Sequence, residues 1–63
     1  MLHIQLYRAR RRHQALAEAI DEETRRLAPS AERLAYLKRR KLMARDEIAA
    51  LERAMDAPAP QPA

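Results

Sequence analysis

The chain of 63 residues contains no cysteine, no glycine, no tryptophan and no phenylalanine. Without cysteine there is no disulfide and no thiolate metal site, and redox chemistry says nothing about compartment. Without glycine there is no phosphate-cradling loop and no dinucleotide fingerprint, because both need a backbone position free of Cβ. Apolar runs are short, and none approaches the roughly 20 residues that cross a bilayer. His3 and His13 stand ten positions apart, which fits no zinc spacing. The basic cluster near the N-terminus follows the apolar residues, whereas a secretory leader needs the reverse order. These absences lead us to expect a cytoplasmic protein with no cofactor, no metal and no membrane span.

What is present favours helix. Alanine, leucine, arginine and glutamate dominate, the composition of helices and coiled coils. Thirteen basic residues face nine acidic ones, for a net charge of +4, so the surface is mixed rather than one-sided. A chain of this size is one small domain and buries only about 60% of its unfolded surface. Such domains usually need a staple. With disulfides and metals set aside, a partner chain is the staple that remains.

Two stretches carry a heptad rhythm. Leu6, Ala9, His13, Leu16, Ile20, Glu23 and Leu27 step by 3 and 4 in turn. Leu34, Leu37, Lys41, Ala44, Ile48, Leu51 and Met55 repeat the pattern. Each series falls on one stripe of a helix. Between them, Ala28-Pro29-Ser30 is a break, since proline disfavours helical geometry in the residue before it. The spacing therefore predicts an all-α, antiparallel two-helix hairpin, coiled-coil-like, over residues 1–56. The expected helices run from about 3 to 27 and from about 31 to 55, with a turn at 28–30. Residues 1–6 alternate apolar and polar, but a single short strand has no partner, so a frayed helix start is expected there. Arg25 and Arg26 are expected in the last turn of the first helix, offsetting its dipole. Ser30 is placed to cap the second helix, and Glu32 suits its positive end. The capping box is incomplete, with Arg33 where Glu or Gln would reach back. Residues 57–63 carry three prolines and are expected to form a disordered tail.

A hairpin turning near Pro29 sets residue i level with residue 58 minus i. Arg10, Arg11 and Arg12 then meet the level of Asp46, Glu47 and Glu52. Glu18, Asp21 and Glu22 meet that of Lys38, Arg39 and Arg40. Such exposed pairs choose register more than they stabilise, at about 0–1 kcal/mol each. His13 is expected to pack near Asp46. The expected core comprises Leu6, His13, Leu16, Ile20, Leu27, Leu34, Leu37, Ala44, Ile48 and Leu51. Lys41 on the stripe weakens the seam but helps fix register.

A core of that kind is one layer thick. Each buried leucine contributes about 1.5–3 kcal/mol, against about 1.5 kcal/mol for ordering each residue. Leu42, Tyr36 and Met43 lie off the stripe, and a helix apolar on several sides is usually covered on several sides. They are the expected oligomer interface, giving a homo-oligomer: a dimer or tetramer of hairpins, such as a four-helix bundle.

Other clusters read as surface. Arg8, Arg10, Arg11 and Arg12 could contact phosphates of a nucleic acid, but acidic residues are expected opposite them. Asp21-Glu22-Glu23 and Asp46-Glu47 would need a water-excluding pocket to act as catalysts, and a thin hairpin offers none. No catalytic residue is identified, so a non-enzymatic protein is expected.

The residues also carry a resemblance. His13-x-x-Leu16-x-x-x-Ile20-x-x-Glu23, then Leu34-x-x-Leu37-Lys38-x-x-Lys41-Leu42, then Arg45-Asp46-Glu47-Ile48-x-x-Leu51 resemble the YdcH-like family of small bacterial proteins of unknown function. The resemblance covers residues 13–51. Its most specific part ends in Arg-Asp-Glu-Ile, where the family usually has Lys at the Arg45 position. Ala17 stands where the family commonly has an acidic residue, and the arginines at 10–12 and the Ala-Pro tail are also atypical. The resemblance implies a cytoplasmic, self-associating helical hairpin and no activity. The expected role is thus an oligomerising interaction module that also accommodates an unidentified protein partner. The alternative is nucleic-acid binding through the arginine-rich first helix.

Overall fold

The computed structural model describes residues 1–56; the expected tail at 57–63 lies outside the described residues. Helix α1 spans Leu2–Thr24 and helix α2 spans Ala31–Asp56. Their 23 and 26 residues give lengths of about 34 and 39 Å at 1.5 Å per residue. The two pack antiparallel along their stripes, as ion pairs from Arg10 to Glu52, Arg12 to Glu47 and Glu23 to Arg33 mark down the length. The fold is therefore an all-α helical hairpin.

The heptad rhythm explains the seam. Leu6, Ala9, Leu37 and Ala44 are the buried apolar residues, and Ala9 is wholly so. Alanine at two of these four positions keeps the layer between the helices thin. His13, Leu16, Ile20, Leu34, Lys41, Ile48 and Leu51 are half-buried. The helices cover one side of these residues and leave the other to solvent, as expected where two cylinders touch along a line.

The ends follow local chemistry, with one departure. Helix α1 starts at Leu2, so residues 2–6 are helix rather than strand, as expected. At the start of α2, the Arg33 backbone N–H donates to Ser30 Oγ at 3.1 Å, and the Leu34 N–H donates to the Ser30 carbonyl at 2.9 Å. This is the expected serine cap, satisfying one of the donors that a helix start leaves free.

Helix α1 stops at Thr24, three residues before the expected end at Leu27. The Arg25 N–H still reaches the Asp21 carbonyl, but the Arg26 N–H bonds to Glu23, a tighter three-residue step. The Thr24 hydroxyl donates to the Ile20 carbonyl at 2.7 Å, competing with the helical ladder at its last turn. Arg25 and Arg26 consequently lie in the turn, which runs over residues 25–30, and no basic residue occupies the last turn of α1. Leu27, expected in the core, is fully solvent-exposed. Its place on the stripe required helix to continue through it, and the chain leaves the helix earlier to turn toward Pro29.

Candidate interaction surface

Two broad faces flank the seam between α1 and α2, and they differ in how their charges are used. On one face, Arg12, Leu16, Arg40, Met43, Ala44 and Glu47 line a shallow groove. There Arg12 Nη2 donates to both Glu47 carboxylate oxygens, at 2.9 and 3.0 Å, from a single nitrogen. On the other face, His13, Ile20, Lys38, Lys41, Leu42 and Arg45 line an open groove. Its floor is apolar and its rim is cationic. Lys38, Lys41 and Arg45 have no carboxylate within ion-pair distance among the described residues.

The residues of the expected oligomer interface lie on both sides of this division, as a helix apolar on several sides requires. Tyr36, Leu42 and Met43 are all about half-exposed. Tyr36 and Met43, seven apart, share one line along α2, whereas Leu42 lies across the seam in the cationic groove. They therefore do not form a single patch.

Charge pairing follows the expected register at the open end and departs from it nearer the turn. Arg10 donates to Glu52 at 3.0 Å and Arg12 pairs with Glu47, as their shared level suggested. Glu18, Asp21 and Glu22 form no ion pair with Lys38, Arg39 or Arg40 among the described residues. Their level is right but their direction is wrong: helical rotation of about 100° per residue points them away from the stripe, so they lie along the outer surface of α1. Glu18 instead accepts a hydrogen bond from the Gln14 side chain on its own helix. His13 likewise makes no ion pair with Asp46, and sits beside Arg45 and Lys41.

The acidic partner that does turn inward is Glu23. It is 2% exposed, although we expected a surface role for it. Arg33 Nε lies 3.2 Å from one carboxylate oxygen and Arg26 Nε 3.5 Å from the other. Neither arginine directs an N–H along that line, so the oxygens are charge-paired yet accept no hydrogen bond from the protein. A cavity of about 60 Å³ beside them, lined by Ala19, Glu22, Arg26 and Arg33, exceeds the roughly 10–15 Å³ that one water requires. Glu23 occupies a heptad position, and that position was the signal for its burial. Arg33, which broke the capping box, is the residue that meets it.

The arginine-rich run divides in the same way. Arg10 and Arg12 are engaged with carboxylates. Arg8 and Arg11 line an open groove with Gln5 and carry no carboxylate partner among the described residues. Among the described residues no group of three or more His, Asp or Glu is placed to hold a metal ion. No described helix is long and apolar enough to cross a membrane.

A two-helix hairpin with a one-layer core and open grooves defines a small all-α protein whose prominent features, among the described residues, are surfaces. The chain belongs to the DUF465 family, described as proteins of unknown function, whose family model matches residues 6–52. YdcH-like proteins belong to this family. No curated protein and no solved structure matches the chain.

Proposed function

We propose that the protein is a non-enzymatic, cytoplasmic interaction module of a bacterial cell that works by self-association and by docking to other proteins. The observation that carries this reading is the imbalance between core and surface. Four apolar residues are buried, while Tyr36, Leu42 and Met43 on α2 and Ile4 and Tyr7 on α1 remain well exposed. A single layer of that size contributes little beyond the entropy of ordering the chain. Covering a second face supplies the remaining apolar burial, as four-helix bundles do.

Sedimentation equilibrium of the purified chain at low and high salt, with and without a generic DNA duplex, tests the proposal. A discrete dimer or tetramer indifferent to DNA is the expected result. A monomer at all accessible concentrations overturns it.

Nucleic-acid binding is the second reading, favoured by Arg8 and Arg11, which have no carboxylate partner among the described residues. It requires mass to increase with DNA at low salt, and binding to fall steeply as salt rises, because each phosphate contact releases counterions. Two of the four arginines are already neutralised within the hairpin, which is why this reading stands second.

A further inference from the structure

We infer that the cationic groove lined by His13, Ile20, Lys38, Lys41, Leu42 and Arg45 docks an acidic amphipathic helix of another protein, whose apolar stripe covers Ile20 and Leu42 and whose carboxylates meet Lys38, Lys41 and Arg45. The inference rests on the docking half of the reading above and gives that partner a chemistry.

Charge sets the groove apart. No carboxylate lines it, and its three cations have none within ion-pair distance among the described residues. Asp46, one helical turn beyond Leu42, lies outside the lining. The Met43 groove also carries two cations, Arg12 and Arg40, but Glu47 stands in its wall and holds Arg12. The groove of Gln5, Arg8 and Arg11 likewise includes Glu47. An anionic partner meets a wall carboxylate in either of those two, and only positive charge beside Lys38, Lys41 and Arg45.

The floor decides what kind of anion fits. The groove of Gln5, Arg8 and Arg11 has no apolar residue in its lining, so it offers charge alone. In the Leu42 groove, half-exposed Leu42 and half-buried Ile20 lie among the cations. A phosphate backbone leaves such a floor wet, and no aromatic side chain lines it for a base to stack on. A flat bilayer surface does not enter a furrow between two helices. A helix does: packed helices stand about 8–10 Å apart, and a third, about 10 Å across, lies along the furrow against both. Apolar residues at i, i+3, i+4 and i+7 of that helix rest on the floor. The groove, at about 480 Å³, admits several side chains, whereas the cavity of about 60 Å³ beside Glu23 has room for a water or two.

Spacing fits as well. Lys38, Lys41 and Arg45 stand three and four residues apart on α2, within two turns and about 10 Å of helix axis. A partner helix with carboxylates three and four residues apart presents one to each. All three cations belong to α2, so only the partner's flank turned toward α2 needs to be acidic.

Peptide binding tests the groove in the full-length chain. Two fluorescent peptides of about 20 residues, long enough to hold helix, carry leucine at heptad a and d positions. One has glutamate on both flanks of the stripe, and the other has lysine. Each is titrated by fluorescence anisotropy against the wild type, Lys38→Glu/Lys41→Glu, Leu42→Ser and Arg8→Glu/Arg11→Glu. Circular dichroism reports helicity, and sedimentation reports mass. The glutamate peptide is expected to bind the wild type, at least about tenfold more weakly after Lys38→Glu/Lys41→Glu or Leu42→Ser, and unchanged after Arg8→Glu/Arg11→Glu. The lysine peptide is expected to ignore the wild type and bind Lys38→Glu/Lys41→Glu, which also shows that this variant folds. A glutamate peptide that does not bind, or that is lost equally in Arg8→Glu/Arg11→Glu, overturns the inference. Binding untouched by Leu42→Ser reduces the site to charge and overturns the amphipathic helix as its occupant. A generic DNA duplex that binds through Lys38 and Lys41 where the peptide does not overturns it in favour of nucleic acid. A wild-type oligomer that Lys38→Glu/Lys41→Glu turns into a monomer overturns it in favour of a second copy, with self-association standing. A monomeric wild type that binds the glutamate peptide in this groove supports the inference and overturns self-association alone.

Discussion

The two ends of the hairpin are fastened by opposite means. At the open end, Arg10–Glu52 and Arg12–Glu47 bridge the helices through side chains that remain about half-exposed. At the turn end, the bridging carboxylate of Glu23 is removed from solvent while its partners Arg26 and Arg33 stay in it. Exposed pairs are screened by water and salt and contribute about 0–1 kcal/mol. A buried carboxylate carries a desolvation cost that its partners offset only when geometry is good. The contrast teaches that the same pair of residue types meets solvent screening at one end and a desolvation cost at the other. Leu37 and the stripe around it supply hydrophobic burial at the turn end.

The strongest way to break this picture is Leu37→Ala. Leu37 is 5% exposed and sits in the turn-proximal half of the seam. Its truncation is expected to cost about 2–5 kcal/mol, a large part of the stability of so small a domain, and to lower the thermal midpoint followed by circular dichroism. Leu6→Ala at the open end is expected to cost less, because the adjoining helix ends can fray around the loss. A Leu6 variant that melts below the Leu37 variant would reverse the ranking of the two ends.

Glu23→Leu sharpens the comparison from the other direction. It extends the apolar stripe and removes the buried charge, so stability is expected to hold or to rise by up to about 1–4 kcal/mol. A clear fall in the melting temperature would mean that the pairing with Arg33 outweighs its desolvation. The smallest effect is expected for Glu52→Gln: a loss within about 1 kcal/mol that disappears in roughly 1 M salt, where the screening length is about 3 Å.

Much of the fold was legible because heptad spacing is a geometric statement. Leu6, Ala9, Leu37 and Ala44 share a stripe in the sequence and a seam in the structure. Proline after Ala28 located the break, and Ser30 located the start of α2. Counting back from the turn also placed Arg10 and Arg12 beside their carboxylates. One failure is a failure of direction. Level along a hairpin follows from counting, but direction around the helix needs rotation as well. Glu18, Asp21 and Glu22 were matched to Lys38, Arg39 and Arg40 by level alone, and they point outward. Leu27 failed for another reason: a helix end depends on how the last carbonyls are satisfied, and Thr24 and Arg26 settled that three residues early.

The antiparallel path also sets an order of assembly. Glu23 and Arg33 are separated by only ten positions, whereas Arg10 and Glu52 are separated by 42. Closing the longer loop first would cost roughly 1.2 kcal/mol more, at about 0.6 kcal/mol per doubling of length. The hairpin is thus expected to zip from the turn outward, with each closed rung shortening the loop left for the next. The Arg10–Glu52 rung is then the last to form on folding and the first to open on heating, and fluctuations of the native protein begin at the end where chain start and Asp56 lie together.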